Sequence, residues 1–151
     1  MNLNTLYELS RQSIEKFGDK VAFPMLGSED VSYNEVGKRV KQVQELLLGA
    51  GATAGDKVAL LSSSMPNWGV CYFAIVTAGM VAVPIMPDFT GEEIDMLIKH
   101  SESKALLVSD KLFTKISKET VSSLNIVIRT KSLKVTSQMV TGAGEAVVPK
   151  P

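Results

Sequence analysis

The chain has 151 residues, of which 45% are apolar, and this is enough for one domain with a buried core. Its sixteen basic and sixteen acidic residues give a net charge of zero, so no overall field attracts nucleic acid, an anionic membrane or a polyanionic substrate. Nucleic-acid binding is therefore not expected.

The single cysteine and the first residues indicate the cellular compartment. Cys71 lies in the apolar run from Gly69 to Ala78, which excludes an intrachain disulfide framework and favours a reducing compartment. A buried hydrophobic side chain is favoured over a reactive thiol there, because free cysteine is among the most buried residue types. The amino terminus has no basic stretch followed by a continuous apolar one, so it does not resemble a secretory signal. We expect a cytoplasmic location.

A long uncharged segment raises the question of a transmembrane helix, since no charged residue lies between Lys57 and Asp88. Serine, proline and glycine residues divide this segment into a strand, a helix and a second strand, each with the length of a buried element. The longest unbroken apolar piece is shorter than the about 20 residues that a spanning helix needs. Membrane insertion is therefore disfavoured.

Two helices and a hairpin are predicted in the first third of the chain. The pairs Thr5–Glu8 and Ser32–Glu35 have the spacing of capping boxes, and each precedes apolar residues at helical spacing. The first helix is predicted to end at Gly18 and the second at Gly49 or Gly51. Between them, two short β-prone pieces flank a turn sequence and predict a hairpin. The pieces are residues 21–25 and 31–33.

From residue 57 onward, apolar strands alternate with helices. Strands are predicted at 57–61, 80–85, 105–108 and 124–128, and helices at 66–79, at 91–101 after the Thr90–Glu93 capping box, and after an Asp110 cap. The helix at 66–79 is apolar on every side, so it should pack on a sheet and be covered by another element. This pattern predicts an α/β fold: a three-layer, doubly wound, mostly parallel sheet with Rossmann-like layering, preceded by the first helix and the hairpin.

The end of the chain differs in composition. After Arg129 the helical period disappears, and the last residues are mainly Ser, Thr, Gly, Ala, Val and Pro with little charge. We therefore expect residues 1–130 to form one α/β subdomain. Residues 131–151 are interpreted as a linker that leads to further sequence.

Two small-residue segments were considered as nucleotide sites. The glycine-rich segment from Gly49 to Gly55 follows a helix and precedes a strand, the reverse of a dinucleotide fingerprint, so a helix end and a turn are favoured. The segment from Ser62 to Ser64 lies between a strand and a helix, where α/β sheets bind ligands. It lacks glycine and lysine to hold a phosphate, so helix capping is favoured for it.

No residue pattern points to catalysis or metal binding. His100 is the only histidine and falls in the last turn of a predicted helix, where a structural role suits the helix dipole. Glu92, Glu93 and Asp95 are interpreted as acids of a first helical turn. Without a second His or Cys at metal spacing, we predict no catalytic, cofactor-binding or metal-binding residue in this chain.

The sequence resembles a known enzyme family over Leu3 to about Asp110. The specific part is Pro66-Asn67-Trp68, then Ala78-Gly79 and Val83-Pro84, then Thr90 to Glu93, ending in a Ser-Glu-Ser-Lys strand entry. Each piece alone is weak, but their order and spacing resemble the amino-terminal part of adenylate-forming (AMP-binding) acyl-CoA synthetases. Among these, the long-chain fatty-acid CoA ligases are the most similar.

The resemblance implies a parent enzyme that joins a fatty acid, or another carboxylic acid, to ATP and passes the acyl group to coenzyme A. ATP, Mg²⁺ and coenzyme A are implied for that parent and no cofactor for this chain, which lacks the family's phosphate loop and is expected to be inactive alone. The family assigns this portion to a supporting subdomain that packs on the remaining subdomains and helps to wall the acyl side of the cleft.

Several alternatives stay open on the sequence. The chain could be a stand-alone flavodoxin-like or Rossmann-like module that binds a nucleotide near Ser62–Ser64 and Pro87–Thr90, or an interaction module without a ligand. A homodimer and peripheral membrane association are also left open. Acyl chain length, and a carrier protein as acceptor in place of coenzyme A, are not determined by these residues.

Overall fold

The computed structural model describes residues 5–23 and 30–139 and the backbone of residues 146–147. The first half contains α1 (Leu6–Phe17), β1 (Val21–Phe23), β2 (Val31–Ser32), α2 (Tyr33–Gly49), β3 (Lys57–Leu61), α3 (Pro66–Thr77) and β4 (Val81–Pro84). The second half contains α4 (Gly91–Ser101), β5 (Ala105–Val108), α5 (Asp110–Phe113), α6 (Lys118–Ser123), β6 (Ile126–Arg129), β7 (Val135–Met139) and β8 (Ala146–Val147).

The predicted caps start three of the helices. The hydroxyl of Thr5 accepts from the Glu8 amide in α1, and that of Ser32 accepts from the Glu35 amide in α2. Thr90 begins α4 with a complete capping box, in which the Glu93 carboxylate also accepts from the Thr90 amide at 2.8 Å. Each cap satisfies an amide that the helix leaves without an internal partner. The hairpin is also confirmed, since β1 and β2 pair antiparallel.

The main sheet has the strand order β4-β3-β5-β6-β7-β8. The first four of these strands are parallel, and β7 and β8 are antiparallel to their neighbours. Side chains alternate between the two faces, so Leu60, Leu107 and Ile128 join α2 and α3 in one apolar cluster. The intervening Leu61, Leu106 and Val127 join α4, α5 and α6 in another. This three-layer, doubly wound arrangement confirms the predicted fold.

The apolar helix α3 has the expected surroundings. Val70, Cys71, Ala74 and Ile75 are buried, and both α1 and α2 pack against the helix. The aromatic side chains of the helix are only half-buried. The helix is therefore covered over most of its surface and open on one side.

The region after β5 differs from its prediction. The N-cap of α5 is Ser109, and Asp110 is the first helical residue, so the predicted Asp110 cap is wrong. The helix is also only four residues long. A second short helix, α6, follows with Ser117 as its N-cap, and the Ser117 hydroxyl accepts from the Thr120 amide. Single-turn helices carry too little periodicity to be separated by pattern alone.

Strand β7 corrects part of the predicted linker. The range Val135–Met139 was assigned to the linker, but it pairs antiparallel with β6. Its sequence, Val-Thr-Ser-Gln-Met, is half-exposed and lacks the continuous apolar run of the buried strands. The turn before it places Leu133 in the left-handed region, at φ 56°. Apart from the backbone of 146–147, the rest of the predicted linker lies outside the described residues.

Candidate functional site

The carboxyl edge of the parallel strands brings three chain segments together. The residues after β3, β5 and β6 meet there. The connection that leaves β3 contains α3 and crosses one face of the sheet, and the connection that leaves β5 contains α5 and α6 and crosses the other face. This is the topological switch point, where open α/β sheets bind ligands. The segments are Ser62–Met65, Ser109 and Thr130–Lys131.

A buried polar network joins these segments. The hydroxyls of Ser62 and Thr130 lie 3.0 Å apart, and the Ser63 amide donates to Ser109 Oγ at 3.3 Å. Asn67 donates to the carbonyl oxygens of Thr130 and Lys131 at 2.7 Å and 3.1 Å. Because these groups bond one another across three segments, the network holds the loops in place.

Beside this network lies an open groove of about 680 Å³. Half-buried aromatic residues form much of its wall: Trp68 stacks on Tyr72 with ring centroids 5.5 Å apart, and Tyr72 meets Phe73 edge to face at 6.0 Å. The full lining is Phe23, Ser62, Ser64, Met65, Pro66, Trp68, Gly69, Tyr72, Phe73 and Pro87. None of these residues is charged, so the groove suits an apolar or aromatic group and not an anion.

The groove depends on a close contact between β1 and α3. A Cβ atom at Gly69 would lie 2.9 Å from Cζ of Phe23. Glycine at this position therefore lets the ring of Phe23 lie against the helix and close one side of the groove. Phe23 and Gly69 are 46 residues apart in the chain, and no local pattern indicated their contact.

The capping role predicted for Ser62–Ser64 is wrong. The N-cap of α3 is Met65, which makes no side-chain hydrogen bond to the helix. Ser62 instead bonds Thr130, and Ser64 lines the groove. The earlier segment from Gly49 to Gly55 does form a helix end and turn: Gly49 ends α2, and Gly51 and Gly55 have positive φ values of 90° and 87°.

Two of the cationic side chains near this edge contact other parts of the fold. The Arg129 guanidinium pairs with Asp110 at 3.1 Å and lies 4.0 Å from the ring centroid of Phe113. Lys115 donates to the carbonyl oxygens of Pro87 and Phe89 at 3.0 Å and 3.3 Å. Both cations therefore hold loops together.

The part of the chain that the structure describes does not offer a cluster of metal ligands. Over residues 5–23 and 30–139, no group of three His, Cys, Asp or Glu side chains could hold a metal ion. The exposed His100 lies in the last turn of α4, and Glu92 and Glu93 lie in its first turn. We therefore assign no step that involves Mg²⁺ to the described residues.

Cys71 has the properties of a buried hydrophobic residue. It is fully buried in the cluster beneath α3, and this burial raises the pKa of its thiol from 9.0 to about 12. The thiolate is the nucleophilic form of cysteine. The folded chain should therefore keep this group unreactive.

We predict that Cys71 in the folded chain reacts with a disulfide reagent at pH 8 at least about 100-fold more slowly than in guanidinium chloride. Because the folded pKa is raised, the unfolded thiol ionises first as pH rises. The free energy of unfolding should then fall between pH 9.0 and about 12. A Cys71→Ala variant, which lacks the thiol, should lack this part of the pH dependence. Fast labelling of the folded chain would contradict the prediction.

None of the helices among the described residues is both long enough and apolar enough to cross a membrane.

Comparison with known proteins identifies the family. The model of the AMP-binding enzyme family matches residues 10–150. The chain belongs to this family. The matched range includes most of the residues assigned from the sequence to a linker. The resemblance to adenylate-forming enzymes is therefore confirmed.

The relatives include several CoA ligases. The chain is 29% identical over 129 residues to a probable CoA ligase of Humulus lupulus, covering 85% of this chain and 24% of that protein. It is 28% identical over 105 residues to a long-chain-fatty-acid–CoA ligase of Escherichia coli, covering 69% of this chain and 18% of that one. The chain thus spans less than a quarter of the length of these relatives.

Solved structures share the fold. The anthranilate CoA ligase AuaEII, in complex with anthranoyl-AMP, superimposes with a TM-score of 0.77 at 20% identity, over 85% of this chain and 25% of that one. The N-terminal subdomain of Klebsiella oxytoca NpsA gives a TM-score of 0.72 at 18% identity, over 98% of this chain and 37% of that one. The chain therefore has the fold of a part of the N-terminal subdomain of adenylate-forming ligases.

Proposed function

We propose that this chain is the N-terminal subdomain of an AMP-forming acyl-CoA ligase whose substrate is a fatty acid. In the proposed reaction, a carboxylate oxygen bonds to the α-phosphorus of ATP and pyrophosphate leaves. The thiol of coenzyme A then bonds to the acyl carbon, AMP leaves, and the thiol proton is released. The proposal includes action in the cytoplasm together with the remaining subdomains of the same polypeptide.

The observation that carries the proposal is the uncharged, aromatic groove at the switch point of an AMP-binding fold. Its lining of aromatic, proline and methionine side chains can contact an acyl chain by burial of apolar surface, which is worth about 25 cal/mol per Å². Matches to long-chain-fatty-acid and crotonobetaine/carnitine CoA ligases support a carboxylic acid as the substrate. The role we assign to the chain is to wall the acid side of the cleft.

The lack of charged residues in the groove indicates which substrates it can bind. Stabilising the negative charge of a reacting phosphate requires cations or directed N–H donors in a site without bulk water. The groove offers aromatic faces and two serine hydroxyls, with Ser62 already bonded to Thr130. We therefore place ATP and coenzyme A on other parts of the parent enzyme.

The test is acid-dependent release of pyrophosphate by the polypeptide expressed from the complete reading frame. A long-chain fatty acid, a medium-chain fatty acid and 3-hydroxybenzoate are compared, each with coenzyme A or with a pantetheinylated carrier protein as acceptor. We expect the highest kcat/KM with a fatty acid and coenzyme A. Preference for the aryl acid or for the carrier protein would overturn the assignment of a fatty acid and coenzyme A as substrates. No release with any acid would overturn the ligase assignment.

A further inference from the structure

Asn67 occupies the first turn of α3, next to the groove residues Pro66 and Trp68, and only 8% of it is exposed. Its Nδ2 donates to two carbonyl oxygens, those of Thr130 at 2.7 Å and Lys131 at 3.1 Å. Its Oδ1 accepts from Nη1 of Arg39 at 2.9 Å. A side-chain amide supplies two donors and an acceptor in this arrangement, and neither a carboxylate nor an apolar side chain can replace it.

The start of α3 lacks the support that the other long helices have. Helices α1, α2 and α4 each begin with a Ser or Thr hydroxyl that accepts from a backbone amide. Met65, at the N-cap of α3, makes no such bond, and proline follows it. Proline at this position removes a free N–H group but supplies no contact to the rest of the fold. The Asn67 amide attaches this turn to the sheet edge, together with a bond from the Thr130 hydroxyl to Sδ of Met65 at 3.6 Å.

The contact continues to α2. Arg39, which donates to Asn67, also donates through Nε to Oε1 of Glu35 at 2.9 Å. At the other end, the hydroxyl of the fully buried Thr130 bonds Ser62, which itself lines the groove. The chain of contacts thus joins α2, the first turn of α3, the turn after β6 and the loop after β3. The bonds of Asn67 and Ser62 to Thr130 are buried, and buried polar networks whose members are satisfied fix a single arrangement of their parts.

We propose that Asn67 is a positioning residue for the groove: its amide fixes the first turn of α3 against the turn after β6, and this sets the position of Trp68. Asn67 does not line the groove and acts through its neighbour. The proposal rests on the proposed function for its consequence, since the position of Trp68 affects the reaction only where the groove holds the acid.

The test uses the fluorescence of Trp68 to report on the surroundings of this side chain, because Trp68 is the only tryptophan in the chain. Asn67→Asp keeps the size of the side chain but cannot donate to the two carbonyl oxygens. We expect the emission of folded Asn67→Asp to shift to longer wavelength and its acrylamide quenching constant to rise. The far-UV circular dichroism should show that the chain remains folded.

Two further variants decide the outcome. Ile98→Ala lowers stability on the opposite face of the sheet, where Ile98 is 2% exposed, and it should leave Trp68 emission unchanged. Arg39→Met removes one partner of Asn67 and keeps both carbonyl contacts, so it should shift the emission less; it replaces Asn67→Asp if that variant does not fold. Wild-type emission and quenching in the folded variant tested, or equal changes in Ile98→Ala, would overturn the proposal.

These measurements contain neither acid nor nucleotide. Their result can therefore be interpreted even if the ligase assignment fails. Conversely, unchanged Trp68 emission in Asn67→Asp would remove the positioning role and leave the ligase assignment as it stands.

Discussion

Leu107→Ala should lower the free energy of unfolding by about 3 kcal/mol. Leu107 lies fully buried in the central strand β5, level with Leu60 of β3 and Ile128 of β6 in the sheet. Helices α2 and α3 pack on these three side chains. The sheet holds the neighbouring side chains, so they can collapse little into the space left. The loss of stability therefore includes the cost of a cavity as well as the lost transfer free energy of the removed methyl groups.

Urea unfolding followed by far-UV circular dichroism measures this change. Met96→Ala is the matched control, because Met96 is 62% exposed on α4 and its truncation opens no cavity. The control should change the free energy of unfolding by less than about 0.5 kcal/mol. Equal losses in the two variants would show that the β5 position is not part of a packed core.

Two glycine-to-alanine substitutions should differ clearly in their effect on the free energy of unfolding. A Cβ atom at Gly91, the first residue of α4, would lie 2.5 Å from the carbonyl oxygen of Lys115. That oxygen belongs to backbone, so Gly91→Ala must displace one of the two segments and should lower the free energy of unfolding by about 1–3 kcal/mol. At Gly49, the last residue of α2, a Cβ atom would meet nothing within 4 Å.

Gly49→Ala should therefore leave the free energy of unfolding unchanged or raise it by about 0.5 kcal/mol, because the backbone of alanine loses less conformational entropy on folding than that of glycine. Thermal and urea unfolding of both variants measure the difference. A stability loss at Gly49 as large as that at Gly91 would contradict the assigned contact with Lys115.

Much of the fold could be predicted from local sequence because its signals are local. A capping box such as Thr90–Glu93 requires two residues three apart, and the buried strand Ala105–Val108 is a continuous apolar run. Strand β7 was missed for the opposite reason. Its residues are half-exposed, and pairing with β6, a backbone interaction, places them in the sheet.

The candidate site was predicted less well, because it is built from contacts between distant residues. The bonds from Asn67 to Arg39 and to Thr130 join residues 28 and 63 positions apart. No spacing rule relates such residues in a sequence. The resemblance drew attention to Pro66-Asn67-Trp68, and the structure shows what two of these residues contact: Asn67 bonds the turn after β6, and Trp68 lines the groove.

The most direct test of the account is the effect of Trp68→Ala on the complete polypeptide in the pyrophosphate assay. Its matched control is Tyr7→Ala, an aromatic residue that is 53% exposed on α1. If the groove holds the acid and other subdomains hold ATP, the KM for the fatty acid should rise about tenfold while the KM for ATP stays unchanged. Unchanged KM values for both substrates, or an equal rise in both, would contradict the assignment of this groove to the acid.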